Sequence, residues 1–127
     1  MLDYIRIACA VPAVKVGDVK KNTQDICAYM EKADAQNVDL LVFPELAMTG
    51  YTCGDLFYQD TLHNAVEAGL KEILTCSEAH PALTTVVGLP VRLGIRLANC
   101  AAVISNGCLR GLVSKTYLPD YGGFNES

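Results

Sequence analysis

The chain has 127 residues, 51% of them apolar, with ten Lys and Arg against fourteen Asp and Glu and a formal net charge of −4. That length bounds it to one domain at most, enough to bury a core. The acidic balance, with no basic stripe interleaved with aromatics, gives no support to nucleic-acid binding, and no apolar run approaches the ~20 residues of a bilayer-crossing helix.

The amino terminus, Met1 to Ile7, carries charges inside its apolar stretch. It lacks the basic leader, apolar block and small-residue cleavage site of a signal peptide, so a first strand is expected there. Tyr4 to Ala10 is that strand. Gly17-Asp18 then punctuates the chain, with Asp18 placed to cap a helix. Val19, Ile26, Met30 and Ala33 form a helical stripe that should finish near Gln36-Asn37. Asp39 to Phe43 follows as a uniformly apolar run, expected to be a strand covered on both sides and parallel to the first by a right-handed crossover.

Leu62, Val66, Leu70, Ile73 and Leu74 mark a second amphipathic helix ending before Pro81. Thr84 to Val91 reads as a strand. Leu97 to Ser105 and Cys108 to Val113 flank Asn106-Gly107, a pair that favours a two-residue hairpin because both positions tolerate positive φ. The layout is β-α-β-α-β-β-β, an α/β fold without repeats or linkers.

The six cysteines include no C-x-x-C pair, and His63 and His80 are not spaced with them as zinc ligands, so no metal site is expected. Cys9, Cys27, Cys100 and Cys108 lie among apolar residues, where a thiol acts as a small hydrophobe. A chain this rich in core residues does not need disulfides, and a reducing cytoplasm is the expected setting. Cys53, in Thr52-Cys53-Gly54-Asp55, is the one cysteine in a polar loop.

Two segments carry chemistry. In Val42-Phe43-Pro44-Glu45-Leu46 a carboxylate appears where an apolar strand stops, followed by Thr49-Gly50-Tyr51 and Asp55-Leu56-Phe57. Strand ends aim side chains into clefts while the sheet holds their backbone; a proline and Glu opening a helical turn is the alternative. The second segment is Ser114-Lys115-Thr116-Tyr117-Leu118-Pro119, then Asp120-Tyr121-Gly122-Gly123-Phe124-Asn125-Glu126. Lys115 is expected at the end of the Cys108–Val113 strand. Together the segments resemble the nitrilase (carbon–nitrogen hydrolase) superfamily, whose catalytic Glu lies in an F-P-E segment and catalytic Lys in a K-x-x-L-P-like segment. Within it, they resemble the amino-terminal glutaminase domains of glutamine-dependent NAD synthetases.

The resemblance implies the first half of an α-β-β-α sandwich over residues 1–127. It implies Glu45 as general base and Lys115 as oxyanion stabiliser, with the two on neighbouring strand ends. Tyr51, Tyr121 and Phe124 match positions that line a glutamine pocket. Gly123 departs from the pattern, which carries Glu before the Phe, and Glu126 matches a family Glu to which no role attaches. The family's nucleophile is a Cys in an I-C-x-D-like context beyond the Lys. None of the six cysteines fits that context, so the segment is expected to be inactive alone.

The resemblance further implies glutamine as substrate and a carboxy-terminal synthetase domain as partner. That domain would use ATP and Mg²⁺ to amidate nicotinic acid adenine dinucleotide, in an enzyme that forms a homo-oligomer. Three other readings stand beside it: a stand-alone amidase of the same superfamily, a non-catalytic interaction module exposing one apolar sheet face, and a site with Cys53 as nucleophile and Glu45 as its base.

Overall fold

The computed structural model of the chain describes residues 4–50, 60–93 and 96–118, leaving out the side chains of residues 93, 96 and 115–118. The elements follow the expected order: β1 (Ile7–Cys9), α1 (Val19–Ala35), β2 (Leu40–Val42), α2 (Asp60–Glu78), β3 (Thr84–Leu93), β4 (Arg96–Ser105) and β5 (Cys108–Leu118). They build one five-stranded sheet in the order β1-β2-β3-β4-β5. β1, β2 and β3 run parallel, and β3, β4 and β5 form an antiparallel meander.

Local chemistry explains the boundaries. Asp18 caps α1 by accepting a hydrogen bond from the Lys21 amide at 3.1 Å, satisfying a donor that the first turn leaves open. At the other end Asn37 takes φ 59°. The Val38 amide donates to the Ala33 carbonyl and the Asn37 amide to that of Asp34, both at 3.0 Å. That pair of bonds is a Schellman closure, with Asn in the left-handed position usually given to Gly. The β4–β5 hairpin turns on Asn106 and Gly107 at φ 46° and 77°, the two positive angles of a type I′ turn.

The expected apolar stripe of α1 (Val19, Ile26, Met30, Ala33) is buried throughout. On α2, Leu62, Val66 and Ile73 are buried, and Leu70 and Leu74 pack partly buried against the core. The helices pack on each other, and α2 on β3 and β4. Alternation along the strands separates two faces. Leu41, Thr85, Val87, Leu89, Ala98, Cys100, Ala102 and Ile104 are buried toward the helices. The opposite face carries Ile7, Leu40, Val42, Val86, Asn99, Ala101, Val103 and Val113, in register with one another across the strands.

Three expectations are corrected. β2 is not covered on both sides: Leu41 is buried, whereas Leu40 and Val42 are only half-buried, because both helices lie on one face. β5 does not stop at Val113 but runs to Leu118, its pairing carried on past a bulge. Cys9 and Cys108 are exposed rather than packed in apolar surroundings. Among the described residues no helix is long and apolar enough to cross a membrane.

Candidate active site

Glu45 opens the turn that follows β2, at the carboxyl end of a parallel strand. This turn does not stay over β2. The Phe43 amide donates to the Val86 carbonyl at 2.9 Å and the Met48 amide to the Gly88 carbonyl at 3.2 Å, stitching the segment along β3. Gly88 makes the approach possible. A Cβ there would stand 2.4 Å from the Leu46 nitrogen and 2.8 Å from the Pro44 carbonyl oxygen, closer than any side chain tolerates.

The turn holds a strained residue. Leu46 adopts φ 54°, a left-handed conformation that costs a branched, non-glycine residue on the order of 1–2 kcal/mol. Tertiary contacts over-determine it. Leu46, Ala47 and Met48 are all buried. The Asn22 amide of α1 donates to the Met48 carbonyl at 3.0 Å, and the Gly17 amide to that of Thr49 at 2.8 Å. Strain fixed in this way beside a carboxylate is a feature of functional sites.

The result is that Glu45 reaches across β3 to β4, where the side-chain amide of Asn99 donates to its Oε1. Asn99 is only 1% exposed. The two side chains border a pocket of about 210 Å³ whose apolar wall is formed by Val42, Phe43, Pro44, Val86 and Ala101.

Lys115 enters through the register of β5. Asn99 pairs with Thr116 and Cys100 with Ser114, so Lys115 is the extra residue of a β-bulge opposite the Asn99–Cys100 step. Bulges re-aim the chain beside active sites. The expectation that Glu45 and Lys115 sit on neighbouring strand ends is therefore corrected: β3 and β4 lie between their strands, and Lys115 is inside β5. It is the crossing of the Glu45 turn over Gly88 that brings its carboxylate to the strand next to Lys115.

Cys100 adjoins the same pocket, but burial pushes its thiol up, outweighing a hydrogen bond with Ser114 that acts the other way. A thiol held protonated by its surroundings is a poor nucleophile. Tyr51, Cys53, Tyr121, Gly123, Phe124 and Glu126 lie outside the described residues.

The carbon–nitrogen hydrolase family profile matches residues 6–127. The chain belongs to that family. Among curated relatives it is 36% identical to the glutamine-dependent NAD(+) synthetase of Mycobacterium tuberculosis over 124 residues, which is 97% of this chain and 18% of the relative. The chain thus spans about a fifth of the length of the synthetases it matches. Among solved structures, the glutamine-dependent NAD(+) synthetase of Cytophaga hutchinsonii superposes with a TM-score of 0.77 at 31% identity, over 91% of this chain and 20% of that one. An amidase from Nesterenkonia sp. superposes with a TM-score of 0.80 at 22% identity, over 97% of this chain and 48% of its own, and speaks to the fold alone.

In this carbon–nitrogen hydrolase, then, a carboxylate is fixed by a buried amide in a small, mostly apolar pocket, beside a strand bulge that carries a lysine. A carboxylate held in this way is suited to proton transfer. Sequence reading missed Asn99, although an amide in the apolar run Leu97 to Ile104 is itself a signal. Asn is depleted in strands, and a buried polar side chain requires a partner. Gly88, mid-strand, marked the close crossing in the same way.

Proposed function

We propose that this chain is the amino-terminal part of a glutaminase domain in a glutamine-dependent NAD synthetase. The observation that carries the proposal is the Glu45 carboxylate held by buried Asn99 next to the Lys115 bulge; the synthetase relatives matching 97% of the chain support it.

Amide carbonyls resist attack, so a thiolate that forms a thioester divides the hydrolysis into two easier steps. The nucleophilic cysteine comes from residues outside these 127. Glu45 takes the thiol proton, delivers it to the departing ammonia, and then activates water against the thioester. Lys115 stabilises the oxyanion of each tetrahedral intermediate, a role worth about 3–4 kcal/mol when the donor is preorganised. Glutamine binding is assigned to Tyr51, Tyr121 and Phe124, which match the family's substrate-binding positions. The ammonia passes to a carboxy-terminal synthetase domain, where ATP and Mg²⁺ serve the amidation of nicotinic acid adenine dinucleotide, in a cytoplasmic homo-oligomer.

Supplying ammonia directly separates the two half-reactions. In the longer enzyme carrying this segment, Glu45→Gln should lower glutamine-dependent NAD formation about 10²–10⁴-fold, and Lys115→Met should lower it comparably. Both variants should keep the ammonia-dependent rate. Loss of both rates together would assign the two residues to folding or interdomain coupling instead.

A further inference from the structure

We infer that Asn99 is a positioning residue for the Glu45 base, holding its carboxylate in the orientation and charge state that proton abstraction needs. The inference rests on the glutaminase reading and extends it to a residue on a different strand. Asn99 lies on the sheet face away from the helices, in register with Pro90 of β3 and Thr116 of β5. It is buried, and its amide nitrogen meets Glu45 Oε1.

An ionised carboxylate only accepts hydrogen bonds, so the NH₂ end of the amide is the end that must face it. Donation to the charged form favours that form. An asparagine is suited to this task because it does not titrate, and its contact with the base stays the same across the working pH range. A Lys or Arg at position 99 would hold Glu45 more strongly but would make it a weaker base, and an Asp would repel it.

Asn99 also links the two proposed catalytic groups through the backbone. The strand step that starts at Asn99 is the one opposite which β5 bulges at Lys115. A single residue on β4 thereby sets the carboxylate through its side chain and adjoins the lysine through its strand pairing. The turn that bears Glu45 adds its own constraint at Leu46 and Gly88, but that fixes the backbone. Only a side-chain partner fixes the carboxylate itself.

The test compares Asn99→Asp and Asn99→Ala with Glu45→Gln in the longer enzyme, using glutamine and then ammonium chloride as nitrogen source. Asn99→Asp preserves shape and removes the donor. It should lower glutamine-dependent kcat roughly 10- to 100-fold, the loss expected for a hydrogen bond to a charged group. KM for glutamine should stay within about threefold and the ammonia-dependent rate should be unchanged. The acid limb of its glutamine pH–rate profile should move to higher pH, because a second carboxylate disfavours ionisation of the first; a merely structural role would leave that limb in place. Asn99→Ala should lose rate with a smaller displacement of the limb, and it carries the test if the aspartate variant does not fold. Full glutamine-dependent kcat and an unmoved limb in the Asn99 variants, with Glu45→Gln inactive, would overturn the positioning role alone. If Glu45→Gln also kept its rate, the glutaminase reading would fall and the inference with it.

Discussion

The two faces of the sheet are built from similar residues and have different fates. Toward the helices, Val87, Ala98, Ala102 and Ile104 are fully buried, and the packing of Ile26, Met30 and Ile73 against that side forms the core. On the other face Ile7 and Val113, just as apolar, remain 56% and 60% exposed. What that second face does hold is the Glu45 turn, drawn over Gly88, and the one buried amide of β4, Asn99. One face supplies the core, and the other holds the residues of the proposed site. An apolar sheet face that no described helix covers is a surface that calls for a partner layer.

If that division is right, substitutions on the two sides should separate stability from function. Ile104→Ala, fully buried on the helix side, should lower unfolding free energy by about 2–5 kcal/mol. Urea denaturation measures this, and in the longer enzyme any glutamine-dependent activity that survives should come from the folded fraction with unaltered KM. A large loss of kcat at full stability would break the division.

Gly88→Ala sharpens the comparison because it strikes where the turn meets the sheet. The added methyl would meet the Leu46 and Pro44 backbone, which cannot swing aside as a side chain would. The expected cost is about 1–3 kcal/mol, accompanied by loss of glutamine-dependent rate as the turn lifts and takes Glu45 from Asn99. Stability loss without rate loss would show that the carboxylate does not depend on the crossing.

A weaker signature sits in the helix layer. Burial, with the neighbouring Cys76 thiol on α2, pushes Cys27 from 9.0 up to about 12. Its sign follows from proton counting: above pH 9 the unfolded chain releases the proton while the folded one keeps it. Stability is therefore fully present below about pH 9 and declines as pH rises toward 12. Thermal melts across that window should show a shallower alkaline decline in Cys27→Ala than in the parent chain. An identical slope would mean that Cys27 is free to ionise in the fold.

Much of this division was legible in the sequence. Asp18, Asn106-Gly107 and the stripes at Val19 to Ala33 and Leu62 to Leu74 are local signals, settled within a few residues by capping, turn and burial chemistry. The place of Glu45 just past the end of β2 was legible from the apolar run and proline before it. The rest depends on contacts distant in sequence. Nothing near Glu45 states that its turn crosses β3, since the permission lies at Gly88, and nothing near Lys115 states that β5 continues through a bulge, since that depends on its register with Asn99 and Cys100. Cys9 and Cys108 were misjudged because apolar neighbours in sequence were read as cover in space; the helices cover one face only.

In the proposed glutaminase, Glu45 and Lys115 share one site despite two intervening strands. A crystal structure of the longer enzyme that resolves the Lys115 side chain tests it most directly. Its ammonium should lie on the Asn99 side of the sheet, within roughly 4 Å of the Glu45 carboxylate or one bridging water away. An ammonium directed to the helix-covered face, with Asn99 and the sheet between the two charges, would contradict it.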